Sequence, residues 1–272
     1  VKKENEGIIM KKAVLVVSFG TSYKETREKT ITACENEIKE AFKDYDFFRA
    51  YTSGMIIRKI ARVENLVIDN PGEALARILE LGYEEVVVQS LHIICGDEFT
   101  KLKKEVEAYK DKFKKITLGR PLLTRIEDYK LAIEAIKDEL PKLEKGEGIV
   151  FMGHGTQHEA HAAYCALDYM FDQEHMKVYV GTVEGYPEID EVFHKLKKDK
   201  IETVYLTPFM LVAGDHAIND MASDEEDSWK TIFEEAGYKV KIILKGLGEY
   251  HGVQQRFIVH AKESLTHENM CS

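Results

Sequence analysis

The run Ala13-Val14-Leu15-Val16-Val17-Ser18-Phe19 is almost wholly apolar and stops at Gly20. That is the pattern of a strand buried on both faces of a parallel sheet. From about Tyr23 to Phe42 the pattern changes. Ile31, Cys34, Ile38 and Phe42 fall three or four apart among mostly charged neighbours, which predicts one amphipathic helix. Further strands are predicted at Asp46 to Tyr51, Glu85 to Ile94 and Ile116 to Leu118. Between them come helices at Met55 to Ala61, from Asn70-Pro71-Gly72 onward with proline in the first turn, up to about Phe113, and at Ile126 to Leu140.

Pro141 to Gly148 combines a proline, two glycines and several charges, as a linker would. It divides the chain into an expected first half, 11–143, and a second, 144–272. After it the programme repeats, with strands at 149–152, 177–182, 202–206 and 239–244. Helices follow near 158–171, 188–198, 223–236 and 251–266, and a long loop spans 207–222. Ser223 with Glu226 three residues later reads as a capping box opening the third of these helices. The fold class expected is α/β, with two similar domains, each a mostly parallel sheet flanked by helices.

The repetition reaches single residues. Ser18-Phe19-Gly20-Thr21 matches Gly153-His154-Gly155-Thr156, Thr52-Ser53-Gly54 matches Val183-Glu184-Gly185, and the stretch Leu91 to Glu98 matches Phe209 to His216. Where the second half carries His154, Glu184 and His216, the first carries Phe19, Ser53 and Glu98. The loops belong to a shared scaffold, and the polar chemistry belongs to the second copy.

Composition narrows the function classes. The chain has 272 residues, 44% hydrophobic and 32% charged, enough for a well-buried core. A formal net charge of −10 and the lack of a basic, aromatic-interleaved stripe argue against a nucleic-acid partner. No stretch approaches the roughly 18 apolar residues of a membrane span. Residues 1–9 lack the apolar core of a signal peptide and read as a loose extension before Met10, so a cytoplasmic location is expected. The 4 cysteines are far apart, at 34, 95, 165 and 271, as reduced thiols would be.

His154, Glu184 and His216 each follow a predicted strand of one sheet. Ligands of open α/β sheets bind in the crevice outside the strand ends, so these three side chains can meet there. Two imidazoles and a carboxylate suit a borderline divalent metal and leave positions open. A rival set, His154, His158 and His161, would line one helical face, but Gly155 and the expected turn stand in its way. Neither a Gly-x-Gly-x-x-Gly nor a P-loop pattern occurs at a strand exit, so no nucleotide cofactor is expected. A Gly-x-Ser-x-Gly elbow is also absent.

Several blocks carry a family resemblance. Val16-Val17-Ser18-Phe19-Gly20-Thr21-Ser22-Tyr23, the block Phe48 to Lys59, Gln89-Ser90-Leu91-His92-Ile93-Ile94, Met152-Gly153-His154-Gly155 and the long run Leu211 to Asp224 resemble the anaerobic cobalt chelatases of cobalamin biosynthesis. The similarity spans about residues 11 to 260. That family belongs to the class II chelatases, which share a two-domain architecture with ferrochelatase. They insert cobalt into sirohydrochlorin, a reduced tetrapyrrole, without ATP. The resemblance implies metal-site histidines at His154 and His216 and an acidic partner at Glu184, with Co²⁺ as the substrate metal.

Such a substrate carries many carboxylates, and a net-negative protein needs local cations to meet them. Arg58, Lys59 and Arg49 are the first candidates, Lys24 and Arg27 the second. Phe19, Tyr23, Met55, Leu91 and Met210 are candidates for apolar walls against the ring. Ser53, His92 and Glu98 are the polar groups that the facing half can add. Fe²⁺ or Ni²⁺ would suit the same donors, and a non-catalytic tetrapyrrole or metal carrier would keep the same cleft. A homo-oligomer is compatible with the composition.

Overall fold

A computed structural model describes residues 10–266, so the expected extension 1–9 lies outside the described residues. The first half contains β1 (Lys12–Ser18), α1 (Lys24–Arg27), α2 (Ala33–Ala41), β2 (Asp46–Tyr51), α3 (Gly54–Glu64), α4 (Pro71–Glu80), β3 (Glu85–Ser90), α5 (Asp97–Ala108), β4 (Lys115–Gly119) and α6 (Ile126–Lys137). The second contains β5 (Glu147–Gly155), α7 (Ala162–Gln173), β6 (Val178–Glu184), α8 (Ile189–Lys198), β7 (Thr203–Pro208), α9 (Trp229–Glu235), β8 (Lys239–Ile242) and α10 (His251–Thr266).

Both halves form parallel sheets with one topology, β2-β1-β3-β4 and β6-β5-β7-β8. The internal repeat is therefore structural, and the α/β class expected from the sequence is the one observed. In each sheet the strand order reverses beside the first strand, which puts a crevice at its carboxyl end. Phe19 and His154 occupy equivalent places there.

Alternation along the central strands builds three cores. Val14 and Val16 of β1, with Ile149 and Phe151 of β5, join a core shared by both halves. Ala13, Leu15 and Val17 face α4 and α5 on the outer side of the first sheet. Val150 and Met152 face α8 and α9 on the outer side of the second. The shared core is filled from α2, α6, α7 and α10, so the two sheets are held at a fixed separation by a common apolar layer.

Three local findings differ from the expectations. The predicted helix from Tyr23 to Phe42 is broken by a π-helical turn, Glu28–Thr32. Thr30, in that turn, packs against Gly248, where an added Cβ would stand 2.9 Å from the Thr30 Cα. The capping box at Ser223 does not form. Ser223 Oγ instead donates to the Asn219 carbonyl, and Ser228 caps α9 by accepting from the Thr231 N–H at 3.2 Å. The long loop 207–222 contains a second π-helical turn, Ala217–Met221.

The last helix, α10, falls in the stretch expected to belong to the second half, yet it packs on the first. Val253, Phe257 and Ala261 are fully buried in the shared core. His260 bridges the Asp128 carboxylate and the Arg120 carbonyl at 3.1 and 3.2 Å. Lys115 and Thr117 of β4 bond to Leu265 O and Ser264 Oγ. An amphipathic pattern shows that a helix buries one face, and only the tertiary arrangement selects the surface that receives it. Among the described residues no helix is long and apolar enough to cross a membrane.

Candidate functional site

β5 continues past the predicted strand end at Met152. Gly153 pairs with Thr182 and Gly155 with Glu184, so His154 is a strand residue. Gly155 makes this possible. Its φ is +79°, and a Cβ there would lie 1.6 Å from the Glu184 carbonyl oxygen. Only glycine permits both the left-handed backbone and this approach. The paired ends of β5 and β6 therefore put His154 and Glu184 at neighbouring strand ends, with Glu184 in register with Gly155 and His154 one position before it.

His216 arrives from the loop after β7 and immediately precedes the second π-helical turn. The His154 and His216 rings lie with centroids 4.6 Å apart and planes at 88°. Sixty-odd residues of chain separate them in sequence. In His154, Nδ1 is 3.0 Å from the Gly155 carbonyl oxygen, and only a ring N–H can donate there. In His216, Nδ1 is 2.5 Å from Asp220 Oδ2, which fixes the same tautomer. Neither Nε2 has a protein partner among the described residues. A histidine whose Nδ1–H is held by a carbonyl or carboxylate, with Nε2 outward, is the usual arrangement of a metal-ligating imidazole.

Glu184 is exposed at the end of β6. Among the described residues no three His, Cys, Asp or Glu side chains are already gathered around a common point. The imidazole pair is preformed, and Glu184 lies at the end of the neighbouring strand. The rival His154, His158 and His161 face is not built. His158 Nδ1 accepts from the Ala160 N–H, His161 Nδ1 donates to the His158 carbonyl, and α7 begins only at Ala162.

The first half supplies the opposite side. Phe19 and Met55 are 47% and 65% exposed, unusual for large apolar groups; Phe19 directly follows β1 and Met55 lies in the first turn of α3. Leu91, expected as a wall, is buried in the core instead. Ser53 is buried and its oxygen accepts from the Ile56 N–H, capping α3. Arg58 is exposed on α3 without a hydrogen bond or ion pair among the described residues. Lys59 lies over the Tyr23 ring at 5.7 Å. Arg49 and Arg27 are not available as cations, because each is closed in an ion pair, with Glu35 and Glu64. Sequence gives no sign of that, since the partners lie 14 and 37 positions away.

His92 follows β3, with Nδ1 at 2.8 Å from Ser90 Oγ. Its Nε2 is buried and has no partner. Burial pushes this imidazole down to about 4, only partly offset by the nearby Glu98, so it is neutral near pH 7. Glu98 sits in the first turn of α5 and accepts from Lys101 at 2.6 Å. Its carboxyl lies below the usual range: burial opposes the charge, but the bonds from Lys101 and Thr52 outweigh it. The groups that sequence reasoning missed are Asp220 and Asp215. The spacing of four between His216 and Asp220 was the available signal, given a helical turn there.

Comparison with known proteins shows the family of the chain. A family model described as cobalt chelatase (CbiK) matches residues 12–266. The chain is 48% identical over 256 residues to the sirohydrochlorin cobaltochelatase of Salmonella typhimurium, covering 94% of this chain and 97% of that one. This chain belongs to the cobalt chelatase (CbiK) family. The sirohydrochlorin cobaltochelatase CbiKC of Nitratidesulfovibrio vulgaris is a more distant member-like relative, 33% identical over 94% of this chain and 91% of its own. Among solved structures, SirB from Bacillus subtilis with Fe³⁺ superposes with a TM-score of 0.63 at 17% identity, over 94% of this chain and 96% of that one. That likeness shows a shared fold.

Proposed function

We propose that this chain inserts Co²⁺ into sirohydrochlorin without a nucleotide, in the cleft between the two sheets. The observation that carries the reading is the pair of imidazoles 4.6 Å apart at the sheet edge, each with Nδ1 committed to a protein acceptor and Nε2 open. The 48% identity to a sirohydrochlorin cobaltochelatase supplies the substrate.

His154 and His216 take up the incoming cation through Nε2. Glu184, at the adjoining strand end, adds a negative charge that favours the dication and a carboxylate that accepts a proton. Two neutral imidazoles and one carboxylate bind a borderline divalent ion firmly enough to capture it, and the open coordination positions let pyrrole nitrogens replace protein ligands one at a time. The balance is one Co²⁺ in and two pyrrole protons out. Phe19 and Met55 offer apolar surface to the macrocycle, and Arg58 meets a peripheral carboxylate. Ser53 acts indirectly by fixing the start of α3. His92 and Glu98 face the ring from the first half, the one neutral and the other ionised. Binding energy from the periphery then supports the bent ring that metal entry requires.

The test is an absorbance assay of sirohydrochlorin with Co²⁺, run beside Fe²⁺ and Ni²⁺ because this donor set accepts all three. Cobalt insertion well above the no-enzyme rate is expected. His154→Ala and His216→Ala should each lose at least about a hundredfold in rate, with an unchanged circular dichroism spectrum. A wild-type rate equal to the uncatalysed one would leave a carrier as the reading.

A further inference from the structure

The turn that presents His216 is held from the opposite half of the molecule. Tyr23 lies between β1 and α1, and its hydroxyl donates to Asp215 Oδ1 at 2.8 Å across 192 positions of sequence. Asp215 immediately precedes His216. The same Oδ1 accepts from Asn219 Nδ2 at 3.1 Å, within the π-helical turn. Lys59 stands over the Tyr23 ring, 5.7 Å from its centroid. The backbones are close as well, since a Cβ placed on Gly214 would be 3.6 Å from Thr21 Oγ1.

His216 thus has two restraints of different kinds. Asp220 fixes the orientation of its ring, and Asp215 fixes the position of its backbone relative to the first half. In a cleft whose metal-holding groups sit on one wall and whose ring-contacting groups sit on the other, the second restraint sets how far the metal is from the macrocycle. We propose that Tyr23 and Asp215 are a positioning pair that registers the His216 turn against the first half, so that the metal is presented at a fixed height above the bound ring. The inference rests on the metal-delivery reading of His216. Two rival roles are available to Asp215: a charge that gathers cations, and a surface hydrogen bond without consequence.

Three substitutions separate them. Tyr23→Phe removes only the hydroxyl. Asp215→Asn keeps an oxygen acceptor and removes the charge. Asp215→Ala removes both. Misplacement of a reacting group by about 1 Å costs on the order of a hundredfold. Tyr23→Phe and Asp215→Ala should therefore lower kcat for cobalt insertion about ten- to a hundredfold, with KM for Co²⁺ within about twofold. Asp215→Asn should restore most of kcat. The double variant Tyr23→Phe/Asp215→Ala should be no worse than Asp215→Ala alone, because that change already removes the bond from Tyr23.

A readout free of metal and substrate accompanies the kinetics: the side-chain nitrogen resonances of the histidines in the unliganded protein. The His216 signals should broaden or split in Tyr23→Phe and Asp215→Ala, stay sharp in Asp215→Asn, and leave the signals of buried His260 unmoved. Unchanged His216 signals in Tyr23→Phe would overturn the positioning role. An Asp215→Asn variant as impaired as Asp215→Ala would overturn it in favour of charge. If the resonances respond as expected while the wild type inserts no cobalt, the brace stands and the proposed reaction falls.

Discussion

Asp220 is the residue that turns His216 from a surface histidine into a directed one. The carboxylate takes the Nδ1–H, so the Nε2 lone pair points away from the turn. Removing such an outer partner typically weakens metal binding ten- to a hundredfold. Asp220→Ala should therefore raise the Kd for Co²⁺ by about that factor in a calorimetric titration. Its thermal midpoint without metal should barely move, because a half-exposed pair contributes little to stability. Equal affinity in variant and wild type would remove Asp220 from the site. His154 and Glu184 were legible at this scale from their strand-end positions. Asp220 was not, because its relation to His216 depends on a helical turn inside what the sequence presents as loop. The availability of cations was also hidden: Arg49 and Arg58 look alike in sequence, and only burial beside Glu35 distinguishes them.

At the scale of elements, strands were easier to place than helix starts. Continuous apolar runs such as Val14 to Val17 admit few readings, whereas the acidic stretch 223–228 offers two serines and four carboxylates to begin a helix. Tertiary contacts select Ser228, which is fully buried and bonded to both the Thr231 N–H and the Ser223 carbonyl. Ser228→Ala should cost about 1–2 kcal/mol, and Ser223→Ala less than ~1 kcal/mol, in urea denaturation. The reverse order would restore the capping box at Ser223. β5 is the complementary case. Its apolar run ends at Met152, but pairing to β6 carries it through Gly155, and that extension is what makes His154 a strand residue next to the end of β6.

For the whole molecule, the shared core and the return of α10 predict that the two halves unfold as one cooperative unit. Phe257 of α10 is fully buried in that core. Phe257→Ala should lower stability by about 3–5 kcal/mol in a single transition seen equally by probes of either sheet. Two separated transitions would show that the halves unfold independently. His92 adds a pH dependence. Its folded value, about 4, lies below the ordinary value of about 6.5. The unfolded chain therefore takes up this proton first as pH falls, and stability declines between about pH 6.5 and 4. His92→Gln should flatten that part of a plot of thermal midpoint against pH. An unchanged slope would mean that other groups, such as buried His260, carry it.

The sequence alone determined the strands and the duplicated α/β plan, because periodicity and repeated loops are local properties of the chain. The family followed from motifs of the same local kind. The tertiary structure decided which half receives α10, which arginines remain free, and how His216 is oriented and braced. Each of these depends on groups brought together from distant positions: Asp128 with His260, Arg49 with Glu35, Tyr23 with Asp215. Burial and hydrogen-bond partners are properties of the folded surroundings, and no window of sequence contains them.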